Sequence, residues 1–112
     1  MRAVREFQLE DGTAPFADWF ESLPAAAANR VMVVLRRMRQ GNLGDWKSVG
    51  EGVAECRIHF DKGYRVYFGR DGDSVIILLG GGTKKRQGSD IKAAQRLWKK
   101  YKETKRSTPG WH

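Results

Sequence analysis

Residues 53–79 read VAECRIHFDKGYRVYFGRDGDSVIILL and contain three apolar segments separated by two turn signals. In the first two segments apolar and polar residues alternate, which is typical of β-strands that pack one face against a core. The turn signals, Asp61-Lys62-Gly63 and Asp71-Gly72-Asp73, are short connections of the kind that join antiparallel strands. The third segment is apolar at successive positions, which favours a central place in the sheet. We therefore predict an antiparallel meander with strands at 53–60, 64–70 and 74–79.

The segments on either side of this meander predict one further strand and three helices. Residues 3–9 suit a short strand, and apolar residues at helical spacing then indicate two helices joined by a very short connection. These apolar residues are Phe16, Trp19, Phe20 and Leu23 in the first helix, and Val31, Val34, Leu35 and Met38 in the second. Residues 42–52 are predicted to form a loop, and Gly80-Gly81-Gly82 is predicted to end the sheet. A basic loop at 83–88 then leads to a last helix that Ser89 or Asp90 caps.

The order β-α-α-β-β-β-α predicts a single α+β domain. We expect a mainly antiparallel four-stranded sheet packed on a two-helix hairpin, followed by a C-terminal helix. The domain is assigned to residues 1–104 and a C-terminal tail, which includes Trp111, to residues 105–112.

The charge of the chain favours a polyanionic partner. Lys and Arg number 21 against 13 Asp and Glu, which gives a net charge of +8 and a pI near 10.0. Cys56 is the only cysteine, so no intramolecular disulfide can form. The N-terminal residues lack the apolar region of a secretory signal, and the longest apolar run is too short to cross a bilayer. We expect a cytoplasmic protein that binds nucleic acid or an acidic protein and not a membrane.

Several basic residues are predicted to share one side of the sheet. Arg57 and His59 are two residues apart, so their side chains point the same way, and Arg65 and Tyr67 follow on the next strand. The basic loop comes directly after the third strand, and the last helix adds further positive charge. The residues of this surface that we predict to bind RNA are Lys84, Arg86, Tyr67, Asp90 and Lys92.

These residue types suit cleavage of RNA by its own 2′-hydroxyl. That reaction needs a base for the hydroxyl, a cation for the phosphate charge and an acid for the leaving oxygen. We predict His59 as the base and Arg57 and Arg65 as the cations, with Lys85 as a further cation or a proton donor. No His, Cys, Asp or Glu cluster has the spacing of metal ligands, so no cofactor is expected.

Structural interpretations remain open for the same residues. Arg65 could serve only as a cross-strand partner of Glu55, and Glu55 could hold Arg57 or Arg65 in position. His59 could be a solvent-facing strand residue, and Asp90 a helix N-cap.

Several stretches of the chain resemble the RelE/ParE superfamily, and most of all its branch of HigB-like addiction-module killer proteins. They are 41–45 (GNLGD), 50–58 (GEGVAECRI) and 63–68 (GYRVYF), followed by 78–82 (LLGGG), Lys84, Gln87, Asp90-Ile91 and Ala94. The early Phe16, Trp19 and Leu23 also match, so the resemblance covers residues 1–104.

The resemblance implies a RelE-like fold and the toxin of a type II toxin–antitoxin pair. RelE-like members cleave mRNA on the ribosome without a metal, and the motif Gly63-Tyr64-Arg65 places the family's catalytic arginine at Arg65. Its other basic residues fall at Arg57 and His59 and at Lys84 or Lys85. Many members have a tyrosine near the start of the last helix, where this chain has Ile91; Tyr67 or Asp90 is the candidate substitute.

The implied partners are mRNA, the ribosome and an antitoxin with a helix-turn-helix, with which the chain could form a heterotetramer. Two alternatives stay open. One is a ParE-like inhibitor of DNA gyrase, and the other is an inactive toxin homologue that binds the antitoxin as a co-repressor.

Overall fold

The computed structural model describes residues 2–106, which form five strands, three α-helices and one turn of 3-10 helix. The strands are β1 (Ala3–Glu6), β2 (Trp46–Ser48), β3 (Val53–Ile58), β4 (Tyr64–Asp71) and β5 (Val75–Thr83). The helices are α1 (Pro15–Glu21), α2 (Ala25–Arg39) and α3 (Gln87–Arg106), and the 3-10 turn spans Lys84–Arg86. The predicted α+β class is confirmed. α3 includes residues 105 and 106 of the predicted tail, whereas residues 107–112, with Trp111, lie outside the described residues.

The sheet has the strand order β1-β5-β4-β3-β2. The meander β3-β4-β5 is antiparallel as predicted, and β1 joins its far edge parallel to β5. β5 lies between β4 and β1, as its continuous apolar sequence indicates. None of the helices within residues 2–106 combines the length and the apolar character that a membrane span needs.

Both faces of the sheet are covered, and the period-2 alternation decides which residues face which helices. On one face α1 and α2 pack over a core that contains Val66, Phe68 and Ile76. On the other face α3 packs over Val53, Tyr67, Ile77 and Leu79 through its own Ala94 and Trp98. The sequence predicts that the two-helix hairpin covers the first face, but it does not predict that α3 covers the second.

The glycine triplet continues the sheet, so the prediction that it ends the sheet is wrong. Gly81 pairs with Val66 and Gly82 pairs with Arg65 in the β4–β5 ladder. A Cβ atom at Gly81 would collide with the indole of Trp19, and one at Gly82 would collide with the carboxylate of Asp90. Glycines are therefore needed here because side chains from both faces approach the strand closely.

Other boundaries also differ from the prediction: β1 ends at Glu6 and not at residue 9, and β3 ends at Ile58 and not at residue 60. A short strand, β2, lies within the predicted loop 42–52 and pairs antiparallel with residues 54–56 of β3, which makes the sheet five-stranded. The predicted basic loop is instead the 3-10 turn and the first residues of α3. Asp90 consequently lies inside the first turn of α3 and is not its N-cap.

Candidate nucleic-acid interface

The candidate site is built on one cross-strand row of the sheet. Arg57 of β3 lies directly opposite Arg65 of β4, and Arg65 lies opposite Gly82 of β5. Side chains of one row project to one face, and this row lies on the side that α3 covers further along the sheet. Since α3 begins only at Gln87, after the 3-10 turn, the end of the sheet that carries the row is not closed by the helix.

A cleft of about 220 Å³ opens at this end of the sheet. Four of the nine predicted site residues line it, namely Arg57, His59, Arg65 and Lys84, together with Ile58, Gly63 and Tyr64. Two arginines, one lysine and an imidazole thus meet in one cavity, and none of its lining groups within residues 2–106 is acidic. Such a cavity suits a phosphate, which Arg binds through two nitrogens and Lys binds as a point charge.

Arg65 contacts the buried carboxylate of Glu55. Its side chain is only 9% exposed, and its Nε lies 3.4 Å from Oε2 of Glu55, a residue that is fully buried. The same oxygen accepts hydrogen bonds from the Tyr67 hydroxyl at 3.2 Å and from Gln87 Nε2 at 2.8 Å. These two donors offset part of the cost of removing the Glu55 carboxylate from water, whereas its other oxygen, Oε1, has no hydrogen-bond partner among the described residues. Arg65 therefore forms the cross-strand ion pair with Glu55 and also lines the cleft.

His59 and Arg57 share a second carboxylate at the rim. His59 Nε2 lies 2.6 Å from one oxygen of Asp45, and Arg57 lies 3.5 Å from the other. The hydrogen bond from His59 is the main cause that holds the pKa of Asp45 below its usual value, with the Arg57 charge adding to it. Because an ionised carboxylate only accepts hydrogen bonds, Nε2 is the donor, and in the neutral form of the ring Nδ1 then carries the free lone pair. The His59 side chain is 74% exposed, so a substrate can reach it.

The other predicted site residues occupy different positions. Lys85 and Arg86 are exposed on the 3-10 turn next to the cleft, but only Lys84 of this turn lines it. Lys92 lines a separate groove along α3. Tyr67 is 1% exposed beneath α3, and burial together with the nearby Glu55 raises its pKa, so its ring is not presented to a base. Asp90 packs over Gly82, where burial raises its pKa.

Two residues of the site escape prediction from the sequence. Asp45 orients His59 and Arg57, and it reaches them because β2 starts at the next residue and pairs with β3. Gln87 reaches Glu55 because α3 begins earlier than its capping signal indicates. A short edge strand predicted within residues 42–52 would have placed Asp45 beside β3. Within residues 2–106 no group of three His, Cys, Asp or Glu side chains is placed to hold a metal ion.

Comparison with known proteins gives two matches that cover most of the chain. The family model described as phage-derived protein Gp49-like (DUF891) matches residues 18–103, which include every residue of the cleft. A protein of Haemophilus influenzae that carries the name "Uncharacterized protein" is 40% identical over 86 residues. That alignment covers 76% of this chain and 87% of the relative.

Proposed function

Because the chain belongs to the phage-derived Gp49-like family, a family of addiction-module toxins related to RelE-like toxins, we propose that it is an RNA-cleaving toxin. Its substrate is mRNA, which it cuts on the translating ribosome without a metal ion. The single observation that carries this proposal is the cleft in which Arg57, His59, Arg65 and Lys84 come together.

We propose one role for each group of the cleft. Nδ1 of His59 takes the proton of the ribose 2′-hydroxyl, and Asp45 holds the ring through Nε2. The 2′-oxygen attacks phosphorus, the bond to the 5′-oxygen breaks, and a 2′,3′-cyclic phosphate and a 5′-hydroxyl result. Arg65 and Arg57 stabilise the additional negative charge on the phosphate. Lys84 donates the proton to the leaving 5′-oxygen, the role that the sequence assigns to Lys85, because Lys84 lines the cleft.

A partner antitoxin follows from membership of a toxin–antitoxin family. We propose that the antitoxin carries a helix-turn-helix, that it forms a heterotetramer with this chain, and that both act in the cytoplasm. The excess of cations supports this proposal, since an acidic surface on the antitoxin would neutralise the net charge of +8 until the toxin is released.

The proposal is tested by inducing the protein and mapping mRNA ends by primer extension. The variants are His59→Ala and Lys84→Ala, and the matched control is Lys100→Ala, which removes the same charge as Lys84→Ala from an exposed position on α3 outside the cleft. We expect wild type and Lys100→Ala to cut transcripts. His59→Ala should cut about 10²- to 10⁴-fold more slowly, the usual contribution of a general base.

Intact mRNA during growth arrest by the wild type would contradict the nuclease. Induction of the DNA-damage response at the same time would indicate gyrase inhibition instead, and harmless overproduction of folded protein would indicate a co-repressor. Equal cutting by His59→Ala and Lys100→Ala would refute the role given to His59.

A further inference from the structure

A second and larger groove adjoins the cleft. It has a volume of about 470 Å³ and runs between α2 and the outer edge of β3. Arg57, Ile58 and His59 line both the groove and the cleft, so the two cavities share one wall.

The groove exists because β2 is too short to cover β3. The pairing of the two strands ends at Trp46 with Cys56, and one more backbone hydrogen bond follows, from Arg57 to Asp45. Beyond that point no strand of the described part of the chain lies on the outer side of residues 58 and 59, and α2 forms the opposite wall.

The lining of the groove suits an extended polyanion. Arg30 and Arg37 face it from α2 and Arg57 from β3, and Asp45 is the one acidic residue that lines it within residues 2–106. Among the described residues, no carboxylate lies within 4 Å of Arg30 or Arg37. Val33 and Val34 give the wall of α2 an apolar part.

Arg30 is also held in a conformation that favours phosphate binding. Its guanidinium lies over the ring of Phe60 at 4.6 Å from the centroid, and Phe60 stacks on Tyr64, a residue that lines the cleft. A stacked guanidinium keeps its N–H groups at the edge of the plane, where they can fork a phosphate. Arg30 and Arg37 are seven residues apart, about 10.5 Å along the helix axis, so they would contact different phosphates.

We propose that this groove binds the single-stranded RNA that flanks the scissile phosphate, an inference that rests on the proposed function. Arg30 and Arg37 hold successive parts of the backbone, and the valines contact the apolar faces of a ribose or a base. RNA is favoured over an acidic protein segment because the groove adjoins the cleft and shares Arg57, Ile58 and His59 with it, and a cleaved strand must leave the cleft on both sides of the cut.

The test compares two double variants of α2 in binding uncleavable RNA. Arg30→Ala/Arg37→Ala removes the groove arginines, and Arg36→Ala/Arg39→Ala removes the same charge from exposed positions of the same helix outside the groove. The probes are fully 2′-O-methylated oligonucleotides of 3 and 12 nucleotides, measured by fluorescence anisotropy over a range of salt concentrations. Circular dichroism establishes that both variants are folded.

We expect the groove variant to bind the 12-mer about tenfold more weakly, with a salt dependence that falls by about 1.4, the value for two phosphate contacts to a single strand. The control should bind within about twofold of wild type, and the 3-mer should not distinguish the two variants. Equal losses in both variants would overturn the inference, and so would a groove variant that loses binding of an acidic peptide and keeps the 12-mer.

Cleavage of the matching unmodified RNA is measured in parallel. If the wild type cuts this RNA and the two double variants bind the 12-mer equally, the groove assignment fails and the nuclease stands. If the wild type does not cut on or off the ribosome, the proposed function fails, while the comparison of binding still decides whether the groove holds the strand.

Discussion

Replacing Arg65 with alanine should destabilise the protein as well as remove a catalytic group. The carboxylate of Glu55 is fully buried, and Arg65 is the cation that lies 3.4 Å from it. Without Arg65 the carboxylate keeps only the hydrogen bonds from Tyr67 and Gln87. Loss of one member of a buried ion pair typically costs about 3–5 kcal/mol, because the remaining charge stays desolvated.

That cost is large beside the total stability of a domain of this size, which is about 5–15 kcal/mol. A growth assay of Arg65→Ala alone would therefore not separate loss of catalysis from loss of folded protein. The double variant Glu55→Gln/Arg65→Ala makes this separation, since the introduced amide is neutral and its oxygen can still accept from Tyr67 and Gln87. We expect it to recover at least about 2 kcal/mol of the lost free energy of unfolding.

The assay is urea unfolding followed by tryptophan fluorescence, together with RNA cleavage by each purified variant. Cleavage should stay about 10²- to 10³-fold below wild type in both variants, because neither has the guanidinium that stabilises the phosphate. An Arg65→Ala protein within about 1 kcal/mol of wild type would refute the argument from the buried pair. Restored cleavage in the double variant would refute the role of Arg65.

Three further predictions concern close-packed or buried positions of the fold. Gly81→Ala should lower the free energy of unfolding by about 1–3 kcal/mol because the new Cβ collides with Trp19; thermal denaturation should show no loss for the control Gly88→Ala, where nothing lies within 4 Å. Burial and a hydrogen bond to Asp71 raise the pKa of Tyr101 to about 12. Folding thus favours the neutral phenol. The contribution of Tyr101 to the free energy of unfolding should be complete below pH 10 and lost between pH 10 and 12. Alkaline unfolding of wild type and Tyr101→Phe would show this loss as a shrinking difference between the two proteins. Burial raises the pKa of the Cys56 thiol to about 11, so iodoacetamide at pH 8 should label the protein only after unfolding.

The sequence predicts the part of the fold that depends on local pattern. Alternation along residues 53–68 assigns Val66 and Phe68 to one face and Arg57 and Arg65 to the other, and the structure confirms both. Together with the two turn signals, which are also local, the alternation predicts that the strands form a meander. The covering of the second face depends on α3, whose direction across the sheet is a tertiary property that periodicity does not report.

The errors have a common physical cause. Gly80-Gly81-Gly82 has the composition of a chain break, yet it is a strand because Trp19 and Asp90 occupy the space that side chains would fill. Residues 46–48 are polar or exposed and have no alternation to mark them, and they form a strand because β3 offers them an edge. In both places long-range packing overrides local propensity.

The site illustrates the same division between local and long-range information. The cross-strand spacing predicts that Arg57 and Arg65 are neighbours, but it does not predict which lysine of the basic segment reaches them. That choice depends on the 3-10 turn, which lets Lys84 line the cleft and leaves Lys85 exposed outside it.

The position of the 3-10 turn depends on the buried carboxylate of Glu55. Gln87 starts α3 directly after the 3-10 turn, and its side-chain amide donates to the same Glu55 oxygen that lies beside Arg65. Glu55 therefore connects the strand that carries Arg65 to the segment that carries Lys84, three residues before Gln87. Because Glu55 contacts neither solvent nor the cleft, a change there acts on the site through the groups that contact its carboxylate, namely Arg65, Tyr67 and Gln87. The position of Arg65 and that of the segment that carries Lys84 thus depend on one buried oxygen, Oε2 of Glu55.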